Sequence, residues 1–454
     1  MTKLKMFSLS LVAFAIISCG GDTTETNTKT VGKNSNVAPG LESNTSSESS
    51  SAKDNIFRLN FSDPPTFDPA LVTDTTSASI IVEIFSGLVT LNKELDIIPD
   101  LAESWDISDD GRTYIFNLRD DIKFSNGDKV TASDFKWSIE RAANPDTGSM
   151  NAEVYLGDIV GVTEVIEAGG SLTEVSGLKV IDDKTLEITI DEPKTYFLAK
   201  LTYPTAFVLS EKYVTQQGED WIDQPVGTGP FVMTEYQIGQ TLKLKPNDNY
   251  WGEKAKVDGI IMNLAGGVSM AMYENDEVDI TGVGLADLER VKDPNDPLNK
   301  DLVNVPPQFS LNYIGFNVNM PPFDDVNFRK ALSHAVDKEI IADKIYSGLT
   351  KPAFSIIPPG FPGYSPNIEG LSFNEELAKE YLAKSKYADP ASRPRIIVTI
   401  PGTGGSPGLD TEVISDMWKE TLGVEVEIQQ VEWATYLQDM NRKRLQLWAG
   451  SGWQ

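Results

Sequence analysis

From Ile56 the chain alternates large apolar and polar residues through Phe57-Arg58-Leu59-Asn60-Phe61, the period of a half-buried strand. Pro64, Pro65 and Pro69 then break regularity. Ile80, Ile81, Ile84, Phe85 and Leu88 fall at helical spacing and predict a helix over 77–88. Tyr114, Phe116 and Leu118 alternate with Thr113, Ile115 and Asn117, and Asn126-Gly127 marks a tight turn between Lys123-Phe124 and Lys129-Val130. Thr131-x-x-Asp134 reads as a helix-starting cap, followed by a buried stripe of Phe135, Ile139 and Ala142. Leu186, Ile188 and Ile190 form another half-buried strand. Gly227-Thr228-Gly229-Pro230 is a turn leading into strands at 231–236 and 241–245. The clearest helix runs from Asp325, as cap, to Tyr346; Phe328, Leu332, Ala335, Ile340 and Ile341 share its face, and Gly348 terminates it. A strand (396–400), a helix (410–421) and two further strands (424–429 and 445–453) complete the pattern. The order is mixed α/β, with neither strict βαβ alternation nor an all-β rhythm.

The first residues do not belong to this pattern. Lys3 and Lys5 precede an apolar run, Met6 to Ile17, too short for a permanent span and laid out as a secretory signal. It ends in Ile16-Ile17-Ser18-Cys19-Gly20, which resembles a bacterial lipobox, and Cys19 is the single cysteine of the chain. Lipidation at Cys19 would anchor the protein stably, because several acyl chains share one residue. Residues 20–53 are rich in Thr, Ser, Asn, Gly and Glu and hold almost no large apolar side chain, so they read as a disordered tether with a reach of roughly 30 Å. At the other end the chain stops at Gly452-Trp453-Gln454 without a stop signal, cap or polar tail, and a further C-terminal part is expected.

Composition narrows the function. A net charge of −28 argues against nucleic acid, which needs a basic face, and against adhesion to anionic lipid. The plain reading is an acidic, solvated surface on an exported protein; a preference for cationic ligands is the sharper one. One cysteine excludes an intrachain disulfide, so the core alone stabilises the fold; 454 residues suffice for two lobes. The lone histidine, His334, cannot supply a Ser-His-Asp set or a His-rich metal site. Gly402-Thr403-Gly404-Gly405 lacks the Lys-Ser/Thr of a phosphate loop. Carboxylate pairs are plentiful, which leaves a hydrolase open, but nothing singles out one pair. No metal or cofactor is expected.

Several segments together resemble family 5 of the extracytoplasmic solute-binding proteins, the oligopeptide- and dipeptide-binding group. They are Phe67-Asp68-Pro69; Ile84-Phe85-Ser86-Gly87-Leu88-Val89 with Pro99-Asp100-Leu101-Ala102-Glu103-Ser104-Trp105; and Asp110-Gly111-Arg112 through Arg119 with Phe124-Ser125-Asn126-Gly127. Gly227-Thr228-Gly229-Pro230-Phe231, Asn249-Tyr250-Trp251, Pro321-Pro322-Phe323-Asp324-Asp325 and the closing Glu432-Trp433 and Gly452-Trp453 complete the set. The resemblance is collinear from about residue 56 to the end.

The resemblance implies a two-lobed, hinged fold of the periplasmic-binding-protein type that closes over a ligand. Lobe 1 would span 54–312, with an inserted subdomain at about 86–205, and lobe 2 would occupy 313–454 and be incomplete. It implies a monomeric, extracytoplasmic lipoprotein that captures peptides, or a related solute, for an ABC permease. A peptide would lie extended between Thr73-Asp74-Thr75 and the segment holding Gly450, Gly452 and Trp453, with Trp433 and Trp453 as aromatic walls. Two exchanges stand out. Oligopeptide binders of the group carry an arginine three residues before the second Trp, where this chain has Gly450. They also carry a histidine that aligns near Asp410. Both exchanges remove positive charge, which leaves room for longer, cationic or non-peptide ligands such as oligosaccharides. A sensory lipoprotein and a carboxylate-based hydrolase are the remaining alternatives.

Overall fold

A computed structural model describes residues 55–305, 310–357, 359, 361, 363–368, 370–402 and 408–453, and the side chains of 451–453 are not described. The leader, Cys19 and the 20–53 segment lie outside the described residues, as do Thr403, Gly404 and Gly405. The chain divides into two units, Met1–Lys53 and Asp54–Gln454, and the fold below is that of the second.

Among the described residues the strands form three four-stranded sheets and a two-stranded ladder. In the first sheet Ile56–Asn60 pairs in parallel with Gly259–Asn263, which continues antiparallel to Thr241–Pro246 and Phe231–Gln237. Between its first strand and the rest lie the ladder Val89–Leu91/Ile97–Pro99 and an all-antiparallel sheet. That sheet runs Ala102–Ile107, Thr113–Leu118, Thr185–Thr189, Leu178–Asp182. Tyr114, Phe116, Leu118, Leu186 and Ile188 point into one core with Phe135, Ile139 and Ala142 of the helix Ala132–Ala143, as their alternation and helical spacing predict. That helix opens with the expected cap: Thr131 N–H donates to Asp134 Oδ2 at 2.9 Å.

The third sheet is ordered Leu311–Phe316, Leu447–Trp453, Ile397–Pro401, Glu427–Val431, with the first pair antiparallel and the others parallel. The helices Val326–His334, Glu375–Lys384 and Leu409–Leu422 contribute Phe328, Leu332, Ala378 and Trp418 to its core. His334 is packed inside, with Nδ1 2.7 Å from the Ser372 carbonyl and its ring stacked on Tyr381.

Three elements depart from the expected pattern for local reasons. The helix predicted to reach Leu88 covers Thr75–Ile84, because the 227–230 turn meets its end. Gly229 N–H donates to Ile84 O at 2.8 Å, and a Cβ on Gly227 would stand 2.0 Å from that same oxygen. Thr228 Oγ1 accepts from Ser86 N–H, and Asn247 Nδ2 donates to Gly229 O. The long helix from Asp325 breaks after His334. Asp337 recaps the chain by accepting from Glu339 and Ile340 N–H, and a short helix, Lys338–Ile340, passes into a π-turn, Ile341–Ile345. Ile340 is therefore exposed instead of sharing the buried face. Gly348 does end the segment, with φ +73°. The strand expected from Val424 starts at Glu427, because Val424 closes the preceding helix: Gly423 turns left-handed at φ +60° and Val424 N–H returns to Trp418 O.

Candidate functional site

A cavity of about 2470 Å³ opens between the first and third sheets. Leu59, Asn60, Tyr273 and Ile280 line it from the first sheet and its neighbours. Leu302, Val303, Val305 and the strand Leu311–Phe316 cross it, and Lys338, Tyr346, Phe354, Asp410 and Gly450 line it from the third sheet and the segments around it. The lining is mainly apolar with a few polar groups, the composition of a ligand site, and the volume exceeds the roughly 300–1,000 Å³ of a drug-sized pocket.

Gly450 reaches this wall through a β-bulge. Tyr313 pairs with Ser451 and Gly315 with Trp448, so two residues, Ala449 and Gly450, oppose Ile314 alone. The extra residue takes φ +78°, which glycine adopts without strain, and a Cβ there would also stand 3.0 Å from Pro401 Cδ. On the other side of the bulge the Trp448 indole lies against Gly315, where a Cβ would overlap Cε2 at 2.0 Å. Tyr436 O–H donates to Ala449 O at 3.1 Å and Trp433 stacks on Tyr436, so Trp433 sits behind the bulge. The indole N–H groups of Trp433 and Trp448 are buried without a hydrogen-bond partner.

Of the residues singled out from the sequence, Gly450 lies on the cavity wall and Trp433 off it. Gly452 and Trp453 are seen as backbone, paired with Asn312 and Leu311. Thr73, Asp74 and Thr75 lie at the start of the helix Thr75–Ile84, also off the wall. Asp74 is its cap, accepting from Ser77 N–H at 2.9 Å through Oδ1, while Oδ2 is buried without a partner. Asn151 Nδ2 donates to Val72 O, and the phenol of Tyr203, stacked on Tyr155, packs against the same segment; burial, first, and the neighbouring Tyr155 and Asp74 raise its pKa.

Sequence reasoning named Asp410 only as an exchanged position and missed Lys338 and Tyr346. Asp410 Oδ1 accepts from Thr411 N–H at 2.8 Å and Oδ2 from Tyr346 O–H at 2.9 Å. Burial and this carboxylate push the Tyr346 phenol up to about 12, so it stays a donor at neutral pH. Lys338 Nζ donates to Leu371 O at 3.1 Å and lies 5.0 Å from the Phe354 ring centre; burial lowers its pKa. An isolated lysine beside a helix cap reads as solvated surface, and the sequence holds no signal that the following π-turn carries it to a cavity. Among the described residues no helix is long and apolar enough to cross a membrane, and no cluster of His, Cys, Asp and Glu is suited to a metal ion.

Comparison with known proteins places these features in context. The bacterial extracellular solute-binding protein family 5 (middle) profile matches residues 96–454. The dipeptide-binding protein DppE of Bacillus subtilis is 30% identical over 92% of this chain and 77% of its own length. The probable deoxycholate-binding periplasmic protein YgiS of Escherichia coli is 31% identical over 85% and 73%. The structure of Listeria monocytogenes OppA bound to peptide superposes with a TM-score of 0.78 at 28% identity, covering 88% of this chain and 81% of that one.

Proposed function

The chain belongs to family 5 of the bacterial extracellular solute-binding proteins, and from that membership we propose that it captures oligopeptides in the cavity and delivers them to an ABC permease. The cavity itself carries the reading: it is large, mostly apolar, and bounded by the edge strand Ile56–Asn60 on one side and by the Gly450 bulge on the other. Peptide recognition through backbone pairing and apolar subsites suits such a site. We read 54–312 and 313–454 as two lobes, with about 86–205 inserted in the first, and closure as ligand-biased: the ligand favours the closed state by its differential affinity for it. Thr73, Asp74, Thr75, Trp433, Gly452 and Trp453 would join Gly450 around the ligand on closure. Cys19 would carry the lipid that holds this monomeric, extracytoplasmic protein at its membrane. The protein works as a binder, not a catalyst.

A second reading, capture of an apolar amphiphile, is favoured by the exposed Val303, Val305 and Ile356 on the wall and by the relative described as deoxycholate-binding. Native mass spectrometry of the purified protein with a pool of peptides, oligosaccharides and deoxycholate separates the two. Retention of intact peptides of many sequences supports peptide capture. Retention of deoxycholate or a sugar alone removes the peptide assignment, and recovery of cleaved peptide removes the non-catalytic one.

A further inference from the structure

Among the described residues five charged side chains line the cavity: Asp279, Asp301, Lys338, Lys351 and Asp410. Four of them are accounted for. Asp279 is held by Arg58, whose Nη2 lies 2.8 Å from Oδ1 and Nε 3.1 Å from Oδ2. Asp410 is occupied by Tyr346 and its own helix start. Asp301 and Lys351 are exposed, so water solvates them. Lys338 differs. Its side chain is half-buried, and among the described residues it forms no ion pair. One of its three N–H donors goes to Leu371 O, and the Phe354 ring covers one side, which leaves two donors without an acceptor among the described residues. A half-buried cation on a cavity wall, with donors to spare and no counter-charge among the described residues, is arranged to receive an anion from the ligand.

We propose that Lys338 Nζ binds a carboxylate of the ligand, and that this contact supplies the positive charge absent at Gly450 and Asp410. The inference rests on the peptide reading, in which the carboxylate is the peptide's C-terminus; a carboxylate amphiphile would present the same group. The apolar wall around Lys338 strengthens the contact, because little water remains to compete for the ammonium.

The test is calorimetric titration of the protein and of its Lys338→Met and Lys338→Arg variants with one peptide as free acid and as C-terminal amide, and with deoxycholate. Methionine keeps the stem against Phe354, and thermal melting shows whether each variant is folded. The protein should bind the acid roughly ten- to a hundredfold more tightly than the amide, the scale of a hydrogen bond to a charged group. Lys338→Met should abolish that preference and Lys338→Arg should retain most of it. Equal binding of acid and amide by the unmodified protein, or an equal loss of both in Lys338→Met, overturns the carboxylate contact and leaves peptide capture standing. Binding of deoxycholate but neither peptide, weakened by Lys338→Met, removes the peptide reading and assigns the carboxylate to the amphiphile. Failure to bind any of the three overturns both.

Discussion

In the strand Thr113–Leu118, Tyr114, Phe116 and Leu118 are 4%, 0% and 3% exposed; across the cavity mouth Val303 and Val305 are 76% and 75% exposed. Both stretches set apolar side chains at alternate positions. The first packs against the strand Thr185–Thr189 and the helix Ala132–Ala143, so its apolar face is consumed in folding. The second is left exposed, so its apolar area is not consumed in folding. Charges divide the same way. Arg141, on the helix Ala132–Ala143, is paired with the buried Asp68 through two hydrogen bonds, Nη1 to Oδ1 at 3.0 Å and Nη2 to Oδ2 at 2.6 Å. Lys338, on the cavity wall, has only a carbonyl and a ring among the described residues. Apolar area and a half-buried charge left open in one place, and packed or paired elsewhere, are what the ligand would cover under the proposed function.

The sharpest test of this contrast is a truncation on each side. Phe116→Ala removes a fully buried ring and should cost about 3–5 kcal/mol in urea-unfolding experiments. A loss under 1 kcal/mol would mean that the antiparallel sheet is not the sealed core described here.

Charge gives the next largest effect. Burial, only partly offset by the Trp251 N–H and by Arg119, pushes the Asp100 carboxyl up to about 6. Trp251 Nε1 has no well-aligned acceptor among the described residues, so burial outweighs it. An unfolded aspartate titrates at about 4. The native state therefore holds this proton more tightly, and stability must fall as pH rises from about 4 to about 6, then level off. The whole drop is about 3 kcal/mol in order of magnitude. Asp100→Asn should flatten that part of the stability–pH curve; an unchanged slope between pH 4 and 6 would place the titrating group elsewhere.

These contrasts also explain what the sequence could reveal. The sealed region was legible because period-2 and period-3.6 patterns report burial, and Tyr114 to Leu118, Leu186 to Ile188 and Phe135 to Ala142 all pack as their spacing predicts. Turn glycines were legible as turns, but the reason for Gly227 and Gly229, their contact with the end of a helix, needs the tertiary structure. The cavity was far less legible. Its wall draws on segments more than three hundred residues apart, and the place of Lys338 on it depends on Asp337 breaking a helix whose apolar pattern runs on without interruption. Gly450 was readable as a position where a family side chain is missing, yet its bulge follows from strand register, which no local pattern encodes.

Gly450 itself offers a smaller effect. Gly450→Ala forces an L-residue to φ +78° and brings its Cβ to 3.0 Å from Pro401 Cδ, which should lower stability by about 1–2 kcal/mol in thermal unfolding. Should the variant melt with the parent protein, the bulge is not held by glycine and the wall at this point is adaptable.

The smallest effect on stability, and the most telling, belongs to the open wall. Val303→Ser and Val305→Ser remove apolar area that folding never buries, so each should change unfolding free energy by no more than about 0.5 kcal/mol. If the ligand covers these positions, the same changes remove transferable area from the complex. Each lost valine contact is worth up to about 1.5 kcal/mol, so the double variant should bind a peptide with apolar side chains more weakly by up to roughly a hundredfold. Calorimetry and urea unfolding on one preparation measure both quantities. A stability loss comparable to that of Phe116→Ala would show that the wall is core after all. Unchanged stability together with unchanged affinity would show that the ligand leaves these residues in water and sits deeper, toward Lys338 and the Gly450 bulge.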